Sequence, residues 1–139
     1  MKRFPEGYLV FGDAICSFNP IYGQGMSAAA LQAVALEKSL AQGNDGVALR
    51  FFRKAAKVLD GPWTIAVGGD LRYPSVEGPR TPMVRFINWY LGKLHIAARR
   101  DPQLTLAFQK VAQLLSQPPS LLRPKTAWGV LRGNLFGAN

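Results

Sequence analysis

The 139-residue chain is poor in several residue types and patterns, and each shortage excludes a class of protein. Cys16 is the only cysteine, so no internal disulfide can form. No apolar run reaches the ~18 residues of a membrane-spanning helix, and the first residues lack the apolar stretch of a signal peptide. These absences predict a cytoplasmic protein, with peripheral attachment to a membrane as the alternative.

Acidic residues are scarce in the second half of the chain. Residues 78–139 contain nine Lys or Arg but only one acid, Asp101, whereas residues 1–77 contain eight basic and seven acidic residues. Such asymmetry is typical of a surface that meets an anionic partner, or of a plain solvated basic face. A membrane surface and an acidic protein are the candidate partners. The cations are scattered singly and form no reading motif, which argues against nucleic acid.

A short apolar run near the start is followed by a loop rich in glycine. Residues 8–11 (Tyr-Leu-Val-Phe), bounded by Gly7 and Gly12, predict a strand buried on both faces, as in a parallel sheet. Nothing later in the sequence offers a convincing partner strand, so the chain is expected to be a piece of a larger fold. The loop, GDAICSFNPIYGQGMS over residues 12–27, leads into an alanine-rich segment.

Helical periodicity covers most of the remaining sequence. Apolar spacing predicts helices over residues 26–41, about 46–59, about 83–99 and about 102–116, with another helical turn or two over 126–131. Gly61 and Pro62 predict the end of the second helix, and the segment 71–82, rich in Pro and Gly, predicts a loop. The residues predicted to face inward are, helix by helix in chain order, Ala29, Ala33, Leu36 and Leu40 on the first; Ala48, Phe52, Ala55 and Leu59 on the second; Met83, Ile87, Tyr90, Leu91, Leu94 and Ala98 on the third; and Leu104, Phe108, Val111 and Leu115 on the fourth.

The glycine loop has chemistry suited to a ligand. A helix start exposes unsatisfied N–H groups and a partial positive charge, and Gly23 and Gly25 would let a ligand approach the backbone closely. Asp13, at the carboxyl end of the predicted strand, lies where α/β sheets bind ligands, and its carboxylate can accept hydrogen bonds from hydroxyls. Taken alone, Gly-x-Gly before a helix is more typical of a tight turn without a ligand.

The complete arrangement resembles the second FAD-binding motif of the class A flavoprotein monooxygenases, the aromatic-hydroxylase-like family. The matching residues are Gly12, Asp13, Ala14, Pro20, Gly23, Gln24 and Gly25. By this resemblance Asp13 would bond the ribityl chain of FAD and Pro20 would pack beside the flavin ring. The backbone of Gly25, Met26 and Ser27 would face the pyrimidine edge of that ring. Cys16 and Ser27 depart from the family pattern, in which His and Asn are frequent.

The resemblance implies the C-terminal part of an FAD-dependent monooxygenase or related oxidoreductase. In the family, NAD(P)H reduces FAD and one atom of O₂ is transferred to a small organic substrate. The implied cofactor-binding residues are Asp13, Pro20, Gly23, Gln24, Gly25, Met26 and Ser27; no catalytic residue and no metal site are identified. The expected fold is mostly α, with residues 1–44 as the last strand, loop and helix of a Rossmann-like FAD-binding domain and residues 45–139 as a helical C-terminal region.

The fingerprint that binds the FAD pyrophosphate in this family, Gly-x-Gly-x-x-Gly, is absent from the sequence. The chain is therefore expected to hold the flavin-facing half of an FAD site and not to retain FAD when purified alone. A separate or upstream N-terminal FAD-binding half is an expected partner.

A second hypothesis treats the chain as a basic helical interaction module without catalysis. Phe86, Trp89 and Tyr90 lie near Arg85 and Lys93, which fits a membrane surface. The remaining candidates have structural interpretations: Cys16 as a small buried residue, His95 as a structural histidine, and Trp63, Tyr73, Trp89 and Tyr90 as core residues, with a substrate cavity as the alternative.

Overall fold

The computed structural model describes residues 4–5 and 7–136, which form two compact units, Met1–Ala66 and Val67–Asn139. The helices are α1 (Gly25–Leu40), α2 (Val47–Asp70), α3 (Pro82–Ala98), α4 (Pro102–Ala112) and α5 (Pro124–Leu135). Short 3₁₀ turns occupy Gly12–Ala14, Pro20–Tyr22 and Pro118–Leu122. The prediction of a mostly α fold is confirmed. The division into domains at residue 44 concerns a larger FAD-binding fold and stays a prediction.

The predicted strand over residues 8–11 is not formed, and the described part of the chain contains no strand or sheet. Phe11 does have extended backbone angles, with φ −145° and ψ 152°. A strand requires hydrogen bonds to a neighbour, and the described residues offer none. Two side chains of the segment contact the first unit: Leu9 lies against its core, and Phe11, though partly exposed, stacks on Phe51 with ring centroids 6.0 Å apart.

Helix α1 buries a different face from the one that its apolar residues predict. The buried side chains are Ala28, Gln32, Ala35 and Ser39, one residue out of register with the predicted face. The polar members of this set are satisfied internally. Gln32 Oε1 accepts a hydrogen bond from the Gly12 N–H at 3.0 Å, and Ser39 Oγ donates to the Ala35 carbonyl at 2.8 Å. Because buried polar groups are tolerated once hydrogen-bonded, apolar spacing alone misplaces this face.

Helix α2 continues past Gly61 and Pro62 to Asp70, so the predicted helix end is wrong. Proline removes a backbone hydrogen bond and disfavours a helix interior by about 3 kcal/mol. The buried stripe nevertheless crosses it, because Leu59, Pro62 and Ala66 are all buried at helical spacing. Burial of this continuous face outweighs the local preference.

In the second unit, small residues bring α5 close to its neighbours. A Cβ at Gly133 would lie 2.6 Å from the Ala97 Cβ, and one at Gly129 would lie 3.1 Å from a Leu104 methyl carbon. Asn134 Nδ2 donates to the Lys93 carbonyl at 2.9 Å. These contacts set the rotation of α5 about its own axis.

Three predicted positions in this unit are wrong. Helix α4 ends at Ala112 because Leu114 takes a left-handed conformation, φ 61°, so Leu115 is exposed rather than inward. Met83 and Ile87 at the start of α3 are also exposed, whereas Tyr90 and Leu94 are buried as predicted. Helix α5 is longer than the predicted turn or two.

The loop before α3 is confirmed, and Arg80 organises it. The Arg80 guanidinium donates to the carbonyls of Leu71 at 3.0 Å and Tyr73 at 2.8 Å. Within the described residues, none of the helices combines the length and apolar character needed to cross a membrane.

Candidate functional site

The loop ahead of α1 is held by a turn at Gly12. The Gly12 backbone has φ 64°, in the left-handed region that favours glycine, and its carbonyl accepts the N–H groups of Ile15 at 3.0 Å and Cys16 at 3.3 Å. Its own N–H is bonded to Gln32 on α1. The turn is therefore tied directly to the helix, with Asp13 exposed on it.

A second turn brings the chain back to the helix start. Asn19 Oδ1 accepts the Ile21 N–H at 3.2 Å, and Pro20 begins a 3₁₀ turn that closes when the Gly23 N–H bonds the Pro20 carbonyl at 3.0 Å. Gly23 takes φ 64°, where a side chain would be strained. The sequence Asn-Pro-x-x-Gly thus sets the loop geometry by local backbone chemistry.

Helix α1 begins at Gly25 without a side-chain cap. Gln24 occupies the N-cap position but makes no capping hydrogen bond, and its side chain is 1% exposed. Gln24 Oε1 is buried and has no hydrogen-bond partner among the residues that the structure describes. Gln24 therefore does not cap the partly positive start of α1.

These turns surround an open depression of about 400 Å³. Its lining comprises Asp13, Phe18, Pro20, Gly23, Gly25, Met26 and Ala29. Asp13 Oδ1 is 3.7 Å from the position that a Cβ on Gly25 would occupy, so the carboxylate lies beside the helix start. The depression has one acidic wall and an otherwise apolar lining, and its volume falls in the range of small-molecule sites, roughly 300–1,000 Å³.

Most of the predicted cofactor residues meet in this depression. Asp13, Pro20, Gly23, Gly25 and Met26 line it. Gln24 is buried instead, and Ser27 is half-buried outside the lining.

Sequence reasoning missed two lining residues, Phe18 and Ala29. Phe18 carries a signal that could have found it, as an aromatic residue within the loop. Ala29 was instead assigned to the core face of the helix.

The remaining candidate residues lie elsewhere. Cys16 is half-buried. His95 packs edge-to-face on Phe108, with ring centroids 4.6 Å apart; burial, followed by the nearby positive charge of Arg72, lowers the pKa of His95 below its usual 6.5. This environment suits a structural role, which stays a prediction.

The four aromatic residues proposed as core differ from one another. Trp63, Tyr73 and Trp89 are exposed, so the core interpretation is wrong for them. Tyr90 is buried, and its hydroxyl donates to the Leu121 carbonyl at 2.7 Å; burial raises the pKa of Tyr90 above its usual 10.0.

Among the described residues, no three His, Cys, Asp or Glu side chains cluster as metal ligands would.

Comparison with known proteins gives one informative similarity. No family model matches the chain. Protein Rv3254 of Mycobacterium tuberculosis is 34% identical over 124 residues, an alignment that covers 83% of this chain. The chain spans only about a quarter (25%) of the length of that relative. The name of the relative states no activity, so the functional argument rests on the site itself.

Proposed function

We propose that the chain is the C-terminal part of an FAD-dependent monooxygenase or related oxidoreductase, and that its loop and α1 contact the ribityl chain and ring of the flavin. The single observation that supports this most is the depression, where five of the seven predicted residues meet at the start of a helix.

The polar groups of the depression suit two parts of the cofactor. Asp13 is exposed beside the helix start and can accept hydrogen bonds from ribityl hydroxyls. The N-terminus of α1 carries partial positive charge and stabilises negative charge by about 0.3–1 kcal/mol, more where partly buried. Reduced flavin is negatively charged at its pyrimidine edge, so this helix start would favour the reduced ring.

The apolar groups suit a flat ring. Phe18, Pro20 and Met26 supply apolar surface, and Met26 is 88% exposed, as expected for a side chain that a ligand would cover. Beyond the chain neighbours of Gly25 and the backbone of its own helix, the described residue nearest to a hypothetical Cβ is Asp13, whose Oδ1 lies 3.7 Å away, so the backbone is open to close approach. When bound, FAD itself supplies the redox and oxygen chemistry, and these residues would bind and orient it.

The sequence also limits the proposal. No Gly-x-Gly-x-x-Gly fingerprint is present to hold the pyrophosphate, so this chain would contact only the flavin end of FAD. NAD(P)H oxidation and hydroxylation of an organic substrate belong to the proposal for a whole protein, because the chain spans only about a quarter (25%) of the length of Rv3254.

Titration with two flavins tests the proposal. Riboflavin and FAD should bind the purified chain with similar weak affinity, within about threefold, because they share the ring and the ribityl chain. Asp13→Ala should weaken both by roughly tenfold, the ~1.5 kcal/mol of a charge-assisted hydrogen bond. Asp60→Ala, which removes an exposed acid from α2, is the matched control and should leave both affinities unchanged.

Flavin fluorescence provides the measurement. The proposal fails if neither flavin binds, or if Asp13→Ala and Asp60→Ala bind riboflavin equally well. Much tighter binding of FAD than of riboflavin would also contradict it, since that requires contacts to the adenine end.

A further inference from the structure

Helix α5 packs through one narrow side. Within Pro124–Leu135, all of which is described, Val130 is the one buried side chain. Gly129 and Gly133 make the close approaches to Leu104 and Ala97, so substantial side chains cannot occupy that side. The opposite side of α5 therefore faces away from the other helices of the second unit.

That opposite side is apolar, with cations beside it. Trp128, Leu131 and Leu135 share it at helical spacing and are 64%, 49% and 63% exposed. Lys125 and Arg132, also exposed, lie one turn before and one turn after Trp128. We call these five residues the α5 outer face.

We propose that the α5 outer face binds the surface of an anionic lipid bilayer. A short helix with tryptophan and leucine on one side and Lys or Arg beside them is the pattern of helices that lie in the plane of a membrane interface. Tryptophan suits the headgroup level because its ring is apolar and its N–H is polar. Binding at the interface needs no membrane-spanning helix.

The charge distribution favours an anionic surface. Residues 102–136 contain no acid. Asp101 is the one acid of residues 78–139, and its Oδ1 caps α4 by accepting the Gln103 N–H at 2.9 Å. Helices α3, α4 and α5 carry no acidic side chain, so the charge on this part of the second unit is positive and complements an anionic surface.

Other occupants use less of this face. Nucleic acid or an acidic protein surface would engage Lys125 and Arg132 but leave Leu131 and Leu135 exposed to water. The free energy of burying these two apolar side chains would then not be gained. The aromatic group that the sequence suggested for a membrane contact is divided in the structure, because Tyr90 is buried and bonded to Leu121. The α5 outer face keeps its aromatic and aliphatic side chains exposed together.

Vesicle co-sedimentation of the 139-residue chain tests the charge requirement. We expect binding to phosphatidylcholine vesicles that contain about 30% phosphatidylglycerol, weakening with salt, and little binding to phosphatidylcholine alone. Lys125→Gln with Arg132→Gln should weaken binding roughly 30-fold, since each cation near an anionic surface contributes about 1 kcal/mol. The control, Arg53→Gln with Lys57→Gln, removes the same charge from exposed positions on α2 and should change binding less than about twofold.

A second pair of variants tests the apolar requirement. Trp128→Ala should weaken vesicle binding roughly tenfold through lost apolar contact, whereas Trp63→Ala, at a tryptophan that is 56% exposed on α2, should not. Circular dichroism checks the helical content, and Leu135→Ser replaces Trp128→Ala if the latter loses helix. Equal losses in test and control pairs would overturn the proposal. So would equal binding to neutral vesicles, no vesicle binding, or a dimer that Trp128→Ala converts to monomer without any vesicle binding.

Discussion

The starts of α1 and α4 differ in how their exposed N–H groups are satisfied. Helix α4 follows Asp101-Pro102, a side-chain cap and a proline at the first helical position, and Thr81-Pro82 begins α3 in the same way. Helix α1 follows Gln24-Gly25, with no capping side chain, and opens onto the depression. The starts of α3 and α4 each have a side-chain cap, whereas Gln24 does not cap α1, whose start borders the depression.

The two units also differ in packing, which is closer in the second unit than around the loop of the first. In the second unit, glycines on α5 bring it against Ala97 and Leu104, and a buried tyrosine hydroxyl bonds Leu121. In the first unit, a Cβ on Gly25 would lie 3.7 Å from Asp13 Oδ1, without overlap, and the buried Gln24 oxygen has no hydrogen-bond partner among the described residues. We infer that the second unit is optimised for its own stability, while the loop of the first unit retains features that a ligand would complete.

Replacing one glycine of each unit by alanine should give the largest difference in stability change between the two units. Gly133→Ala places a methyl group 2.6 Å from the Ala97 Cβ and should lower the free energy of unfolding by about 2–3 kcal/mol through overpacking. Gly25→Ala meets only Asp13 Oδ1, at 3.7 Å, and should leave stability within about 0.5 kcal/mol while weakening riboflavin binding severalfold. Urea denaturation and flavin titration provide the two readouts. Equal destabilisation by Gly133→Ala and Gly25→Ala would contradict the difference in packing between the two units.

Two buried glutamines on and before α1 offer a smaller but sharper test. Gln32→Met removes the acceptor of the buried Gly12 N–H and should cost about 1–2 kcal/mol in urea denaturation. Gln24→Met removes an oxygen that has no partner, so stability should stay within about 0.5 kcal/mol or rise slightly. A large loss of stability from Gln24→Met would mean that the Gln24 side chain supports the fold, which would contradict the view that its oxygen is unpaired.

Removing a cap should have the smallest effect on stability and none on the site. Asp101→Ala deletes the 2.9 Å bond to the Gln103 N–H and should lower the free energy of unfolding by about 1 kcal/mol. Riboflavin affinity should not change, because Asp101 lies in the other unit. Thermal unfolding and flavin titration of the same sample would reveal any loss of affinity, which would contradict the assignment of the site to the first unit.

Sequence patterns predicted helix starts better than buried faces. Asp101-Pro102 predicted the start of α4 correctly because capping is a local interaction between neighbouring residues. The face of α1 was misplaced because the burial of Gln32 depends on Gly12, which lies 20 residues away. The continuation of α2 through Pro62 was missed because it depends on tertiary burial.

The site was predictable to the extent that it is local. Asp13 and Gly25 are close in sequence, and turns at Gly12 and Gly23 bring them together, so the motif was enough to predict their meeting. The contribution of Ala29 was missed because it depends on the rotation of α1, which the buried hydrogen bond between Gln32 and the Gly12 N–H helps to set. The packed side of α5 was not predicted because the close approach of Gly133 to Ala97 cannot be read from apolar spacing.

The most direct test of the flavin-site proposal is to map riboflavin on the chain by NMR. In ¹H–¹⁵N spectra of the labelled protein, riboflavin should shift the backbone amides between Gly12 and Ala29, most strongly at Gly25 and Met26, and leave those of α3, α4 and α5 unchanged. Asp13→Ala should reduce these shifts at the same riboflavin concentration. Absence of shifts around Gly25, or larger shifts in the second unit, would contradict the proposal.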